Sequence, residues 1–264
     1  MKAFLNYPGA KWGLAKRIVE MMPKHRSYLE PFFGSGAVLF NKPPSAIETV
    51  NDIDGEIVNF FKVLQTDAKS LAEAIAMTPY ARDVFDDAHE NRGETEFDRA
   101  YTFAVRSRMG HGFKTYAKTG FKIDVYARER SYCVDNWNDM PRGLIEAAER
   151  LKRVQIENRS ALDLIDRFNH DNVLIYADPP YLMQTRGGKQ YNCEMADEGE
   201  HMELLRLMKR HKGNAMISGY PSELYDEELS GWQRIEFKSY NQNSEARTEV
   251  LWINFKIGDQ LSFI

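Results

Sequence analysis

Asp178-Pro179-Pro180-Tyr181 follows directly on the apolar run Val173-Leu174-Ile175-Tyr176-Ala177. Such an ending places a carboxylate, rigid carbonyls and a flat ring at the mouth of a sheet. Proline lacks an N–H and has a restricted φ, so the carbonyls around it stay outward as fixed acceptors. An aromatic ring offers a face on which a planar base stacks. The set suits an exocyclic amine on such a base. Asp178 accepts one amine N–H, the Pro179 carbonyl accepts the other, Pro180 holds the turn and Tyr181 stacks the ring. The plain structural alternative is a strand ending in a Pro-Pro turn beside a chance acid.

Two further segments weigh against that alternative. Tyr28-Leu29-Glu30-Pro31-Phe32-Phe33-Gly34-Ser35-Gly36 followed by Ala37-Val38-Leu39-Phe40 predicts a short strand, a tight turn and a helix start. Gly34 and Gly36 permit the turn and close backbone approach to a ligand. Leu39 occupies the third glycine position of a dinucleotide fingerprint, which disfavours a pyrophosphate cofactor. S-adenosylmethionine needs the turn but brings no phosphate. Ala46 to Asn51 predicts a second strand, ending at Asp52. An acid there commonly accepts from ribose hydroxyls in open α/β sheets. Asp52 is the candidate; Asp54 is better read as a helix N-cap before Glu56 to Leu64.

Together these segments resemble the Dam-type (D12 class) N6-adenine DNA methyltransferases, particularly phage and mobile-element members. Asn6-Tyr7-Pro8-Gly9-Ala10-Lys11-Trp12, Arg247 to Asn254, the loop from Thr185 to Met195, and Ser218 to Ser222 fit the same pattern, so the resemblance covers nearly the whole chain. It implies a Rossmann-like α/β fold with a seven-stranded, mainly parallel sheet and a reversed last strand. It implies that Tyr7 stacks near the adenosyl group and Lys11 meets the methionine carboxylate. Pro31, Phe33, Gly34, Ser35, Gly36, Asp52, Ser160 and Asp178 complete the expected cofactor site. At Ser160 many relatives carry an acid, and a serine there bonds the adenine amino group more weakly. The implied activity is methyl transfer to a flipped adenine in duplex DNA. The alternatives are an RNA adenine or N4-cytosine enzyme and a catalytically silent DNA-binding relative. The resemblance also makes a monomer the default, and it leaves the target sequence and any partner nuclease of a restriction-modification pair unread.

Strands alternate with helices over residues 1–64 and 151–264, which predicts the catalytic domain, with a mostly helical target-recognition insert over 65–150. Between Arg106 and Lys122 cations gather without an acid. Arg106, Arg108, His111, Lys114, Lys118 and Lys122 interleave with Tyr116 and other aromatics, and glycines break any helix. The pattern predicts a hairpin or loop that contacts DNA phosphates and base edges. The net charge of −4 limits non-specific DNA affinity but leaves room for a local basic groove. The remaining composition, 43% hydrophobic with no long apolar run, predicts a cytoplasmic enzyme without a membrane span. Two cysteines, far apart and without histidine partners, predict neither a disulfide framework nor a metal site. A lid is expected over Gln184 to Tyr191, hinged on Gly187-Gly188.

Overall fold

The computed structural model describes residues 1–111, 117–126, 129–185, 188–189, 191–240 and 246–257. In chain order the elements are α1 (Ala15–Glu20), β1 (Ser27–Glu30), α2 (Ala37–Asn41), β2 (Ile47–Asn51), α3 (Gly55–Ala76), α4 (Arg82–Glu90), α5 (Glu96–Met109) and α6 (Tyr132–Leu151). There follow β3 (Val154–Glu157), α7 (Ala161–Arg167), β4 (Val173–Ala177), α8 (Glu198–Arg210), β5 (Asn214–Gly219), α9 (Glu223–Glu228), β6 (Gln233–Tyr240) and β7 (Ala246–Ile253). They form one seven-stranded sheet in the order β3-β2-β1-β4-β5-β7-β6. β3, β2, β1, β4 and β5 run parallel, and β7 enters antiparallel between β5 and β6. The expected mainly parallel α/β sheet with a reversed last strand is what the chain adopts.

The strand at the centre explains the layering. All five residues of β4 are buried, as expected for a strand covered on both faces. Leu174 and Tyr176 point into one apolar cluster, with Phe33, Phe60, Phe103 and Trp137. Val173, Ile175 and Ala177 point into the other, with Leu204, Met208 and Trp252. The alternation follows from the two-residue period of a strand. α3, α5 and α6 therefore cover one face, and α7, α8 and α9 the other. Among the described residues, no helix is long and apolar enough to cross a membrane.

Residues 65–150 are mostly helical among the described residues, with a β-bridge between Gly110 and Phe121, and they share the first cluster with the strands. α3 crosses the expected boundary at residue 64 and kinks at Asp67 (φ −143°, ψ 49°), where two helical runs meet. The side chain of Asp67 accepts from the Ser70 amide at 3.4 Å and restarts the helix, which is why the sequence shows two helical patches there. α6 begins nine residues before Pro141, a residue whose chemistry suits the first turn of a helix. Cys133, Trp137, Met140 and Leu144 are buried at helical spacing, so an apolar stripe runs through the proline and burial outweighs its local cost. α4 lies largely in an acid-rich stretch that runs from Asp83 to Glu96. It is amphipathic, with Phe85 and Ala88 buried under an acidic exterior.

Candidate functional site

The strand order reverses between β1 and β4, so the loops leaving their C-terminal ends diverge and open a crevice. A cavity of about 330 Å³ lies there. It is lined by Tyr7 to Lys11, by Glu30 to Ser35, by Asp52 to Asp54, by Ser160 to Leu162, and by Asp178, Pro180 and Tyr191. Segments far apart in sequence are tied together by backbone and side-chain bonds. Asn51 donates to the carbonyls of Pro31 (3.0 Å) and Arg159 (3.1 Å) and accepts from the Arg159 amide (2.9 Å). That one buried amide aligns the ends of β1, β2 and β3.

The glycine turn closes on Asp52. Gly34 donates its amide to Asp52 Oδ2 at 2.8 Å, and the Asp54 amide reaches Oδ1 at 3.0 Å. Burial nevertheless pushes the Asp52 carboxyl up to about 6, with these backbone bonds opposing the shift. Asp54 caps α3, accepting from the Glu56 amide at 3.0 Å, as its position predicted. Gly34 and Gly36 both have positive φ, at 48° and 70°. A Cβ on Gly34 would lie 3.1 Å from the Tyr7 ring, and one on Gly36 would lie 2.5 Å from Phe40 and 2.6 Å from Phe33. The glycines are therefore demanded by aromatic packing as much as by any ligand. Phe33 serves both purposes: it lines the cavity and packs 4.7 Å from Phe61.

The hydroxyl of Ser35 lines the same cavity, is buried, and has no hydrogen-bond partner among the described residues. An orphaned buried hydroxyl beside a buried carboxylate and an apolar wall fits a ligand with both polar and flat apolar parts. Ser160 lies at the opposite wall as the N-cap residue of α7, with its side chain making no capping bond. Tyr191 covers the mouth. A Cβ on Gly9 would sit 2.3 Å from its hydroxyl oxygen, and its ring is 6.2 Å from that of Tyr7.

At the β4 end a buried charge cluster forms. Lys11 Nζ lies 2.9 Å from Asp178 Oδ2, 3.9 Å from Glu249 Oε2 and 2.8 Å from the Gly9 carbonyl. Burial opposes its charge, but Asp178 and Glu249 outweigh that and leave its pKa raised. Ser218 donates to Asp178 Oδ1 at 2.7 Å. The Tyr181 hydroxyl lies 2.6 Å from Glu249 Oε2 and 3.2 Å from Asp178 Oδ1. Tyr181 is 9% exposed, with Lys11 Nζ 4.8 Å above its ring. Its face is thus more covered than the sequence suggested.

Glu30, at the end of β1, is fully enclosed and accepts from the Tyr28 hydroxyl at 2.8 Å. Burial pushes its carboxyl up to about 8; the Tyr28 bond opposes this and the charge of Asp178 adds to it. The folded value lies above the unfolded one, so the folded chain holds this proton while the unfolded chain has lost it. Stability should therefore fall as pH rises from about 4.5 to about 8, by up to about 5 kcal/mol from this group. Glu30→Gln should flatten that slope. Melting temperatures of both proteins at pH 6 and pH 9 check it, and parallel slopes would refute the assignment.

Residues 7–243 match the family described as D12 class N6 adenine-specific DNA methyltransferase. The chain belongs to that family. Among curated relatives, this D12 class chain is 28% identical over 189 residues to a DNA adenine methylase of Vibrio cholerae, covering 68% of this chain and 65% of that protein. It is 24% identical over 240 residues to the Type II methyltransferase M.MjaIII of Methanocaldococcus jannaschii, covering 80% of each. The match thus spans just under two thirds of the Vibrio protein's length.

The cations expected on one D12 class DNA-contacting loop are dispersed by the fold. Arg106 and Arg108 are corrected: both are buried on α5 rather than presented to a ligand. Arg106 donates to Glu56 (2.8 Å), the Ala88 carbonyl (3.0 Å) and Thr102 (3.2 Å). Arg108 donates to Asn6 Oδ1 (3.0 Å) and the Asn136 carbonyl (2.7 Å). They sit before the loop, on a helix whose surface is covered by α3, α4 and α6, and charge counting along the chain could not see that cover. Lys118 is half-exposed but pairs with Asp86 at 3.0 Å. His111 is exposed, and Gly110 bridges to Phe121 antiparallel, as a hairpin requires. Lys122 is half-buried just beyond that bridge. Lys114 and Tyr116 lie outside the described residues, as do Arg186, Gly187 and Gln190 of the expected lid.

Arg106→Met should therefore lower stability by about 3 kcal/mol, because Glu56 loses its cation and Ala88 a donor. A urea titration measures it. Unchanged stability with lost DNA affinity would return Arg106 to the DNA-contacting set.

Sequence reasoning missed Glu249, Ser218, Glu30 and Asn51 as site residues. Glu30 and Asn51 stand inside the segments already singled out and were readable as polar residues in otherwise apolar strands. Glu249 and Ser218 stand inside two further segments of the resemblance, Arg247 to Asn254 and Ser218 to Ser222, but no role could be read for them, because only strand pairing brings them to Asp178.

Proposed function

We propose that this chain transfers a methyl group from S-adenosylmethionine to N6 of an adenine turned out of duplex DNA. The observation that carries the reading is the position of Asp178. It stands at the C-terminal end of the central strand, within a buried polar cluster, on the wall of a cavity suited to an adenosyl ligand. S-adenosylmethionine supplies an electrophilic methyl group when bound. Tyr7, Phe33, Ser35 and Ser160 would surround its adenosyl part, Asp52 would accept from its ribose hydroxyls, and Lys11 would meet its carboxylate.

The chain's own residues handle the base. Asp178 and the Pro179 carbonyl accept the two amine hydrogens, which draws the nitrogen toward a tetrahedral shape and directs its lone pair into the cavity. Tyr181 holds the ring by stacking. Catalysis here is placement more than base strength. The N–C bond would form as the sulfur–methyl bond breaks, the sulfur leaving as a neutral thioether, and the now cationic nitrogen would release one proton to Asp178 or water. The base must leave the duplex, because its amine is otherwise paired.

Residues 65–150 supply target recognition in this reading. His111 and Lys122 lie at the Gly110–Phe121 bridge, and Ile123, Val125 and Tyr126 beyond it are exposed at 48%, 69% and 82%. Exposed apolar side chains beside cations suit contact with base edges and phosphates. A monomer acting in the cytoplasm of a bacterial or phage-infected cell completes the proposal.

Labelled S-adenosylmethionine, unmethylated duplex DNA and separation of the product nucleosides test it. Label in N6-methyladenine is expected. Label in N4-methylcytosine would move the substrate base, and label only in RNA would move the polymer. Cofactor binding with no transfer to any nucleic acid would favour a silent relative.

A further inference from the structure

We propose that Glu249 is a positioning residue for the reaction centred on Asp178, acting through the hydroxyl of Tyr181. The inference rests on the methyltransferase reading above and adds to it a residue outside the Asp-Pro-Pro-Tyr segment.

The fold puts Glu249 there by strand reversal. In β7, Val250 pairs with Gly219, the last residue of β5. Because β7 runs against β5, its early residues reach the edge where the parallel strands end. Val250 and Trp252 are buried in one apolar cluster and Leu251 in the other, so alternation turns Glu249 to the Leu251 side. There its side chain is 12% exposed, and burial leaves its pKa raised despite the opposing charge of Lys11.

A buried acid needs a reason. Its contact with Lys11 is loose, at 3.9 Å, whereas its contact with the Tyr181 hydroxyl is tight, at 2.6 Å. Lys11 is also 1 Å nearer to Asp178, at 2.9 Å. The Tyr181 hydroxyl carries one hydrogen. Distance assigns it to Glu249 rather than to Asp178 at 3.2 Å. Two consequences follow. The ring is fixed at its far end by Glu249 and along its side by Tyr220, whose ring stands edge-on at 4.6 Å. Asp178 keeps Ser218 and Lys11 as donors but not Tyr181, so lone pairs remain for an amine. Without Glu249 the hydroxyl would turn its hydrogen to Asp178, and the ring would lose its tether.

The test is a double-mutant cycle on the full chain, with methyl transfer to unmethylated duplex DNA as the readout. Glu249→Ala should lower kcat about tenfold or more, while KM for S-adenosylmethionine stays within about twofold. Glu249→Gln, which keeps an acceptor, should recover part of the loss. In a Tyr181→Phe background, Glu249→Ala should cost less than about twofold more, since both changes remove one interaction. An equal loss in both backgrounds, or full kcat in Glu249→Ala, would overturn the proposal. Circular dichroism checks folding, and Glu249→Leu replaces Glu249→Ala in the cycle if alanine is not tolerated. A wild-type chain inactive on every nucleic acid would sink the methyltransferase reading itself, a result separate from any ratio among variants.

Discussion

Asp178→Ala is expected to lower kcat for methyl transfer by about 10³-fold while leaving cofactor affinity within a few-fold of wild type. The carboxylate ends the central strand and is held by Lys11, Ser218 and the neighbourhood of Tyr181. In the proposed reaction, removing it takes away the acceptor that would orient the amine. The fold should survive, because Lys11 keeps Glu249 at 3.9 Å as a counter-charge. Asp178→Asn should fall between the two, since an amide oxygen still accepts one bond but its nitrogen repels the amine hydrogens. Single-turnover transfer measures the loss, and calorimetric titration with S-adenosylmethionine measures binding. Transfer within tenfold of wild type in the alanine variant would remove Asp178 from the reaction.

Lys11→Met is expected to destabilise the folded chain by about 3–5 kcal/mol near pH 8, more than any surface change. Lys11 is 6% exposed and sits between two carboxylates. Methionine fills a similar volume, so packing changes little and the charge effect dominates. Asp178 and Glu249 would then share the site without the cation that stands between them. Glu249 already has a raised pKa, and losing Lys11 removes the largest influence lowering it. A carboxyl whose folded pKa lies above its unfolded value loses stability as pH rises through that interval. The loss should therefore be smaller near pH 5 than near pH 8. Urea unfolding at both values checks the sign; a larger loss at pH 5 would refute the cluster. The same variant should bind S-adenosylmethionine more weakly if Lys11 meets its carboxylate.

Much of the architecture was legible along the chain because its signals are local. Val173–Ala177 is apolar throughout and is the buried central strand. Asp54 has the chemistry and place of an N-cap and acts as one. Asp52, Gly34 and Ser35, each singled out along the chain, line one cavity. Local signals misled where a distant partner decided. Pro141 marks a helix start by its own chemistry, yet the stripe from Cys133 to Leu144 carries α6 through it. Arg106 and Arg108 count as cations beside a glycine-rich loop, yet helix packing seals both.

By itself the sequence determined the alternation of strands and helices, the turn at Gly34 to Gly36, and the acceptor, carbonyl and ring after β4. These depend on side-chain period, backbone freedom and chemistry within a few residues. Only the tertiary structure decided that Lys11 pairs with Asp178, that Ser218 and Glu249 join them, and that two arginines belong to the core. Among those contacts the Ser218–Asp178 bond joins residues 40 apart, and the Lys11–Asp178 pair joins residues 167 apart. Strand order, the reversal of β7 and helix cover set them, and a short window of sequence carries no trace of such pairing.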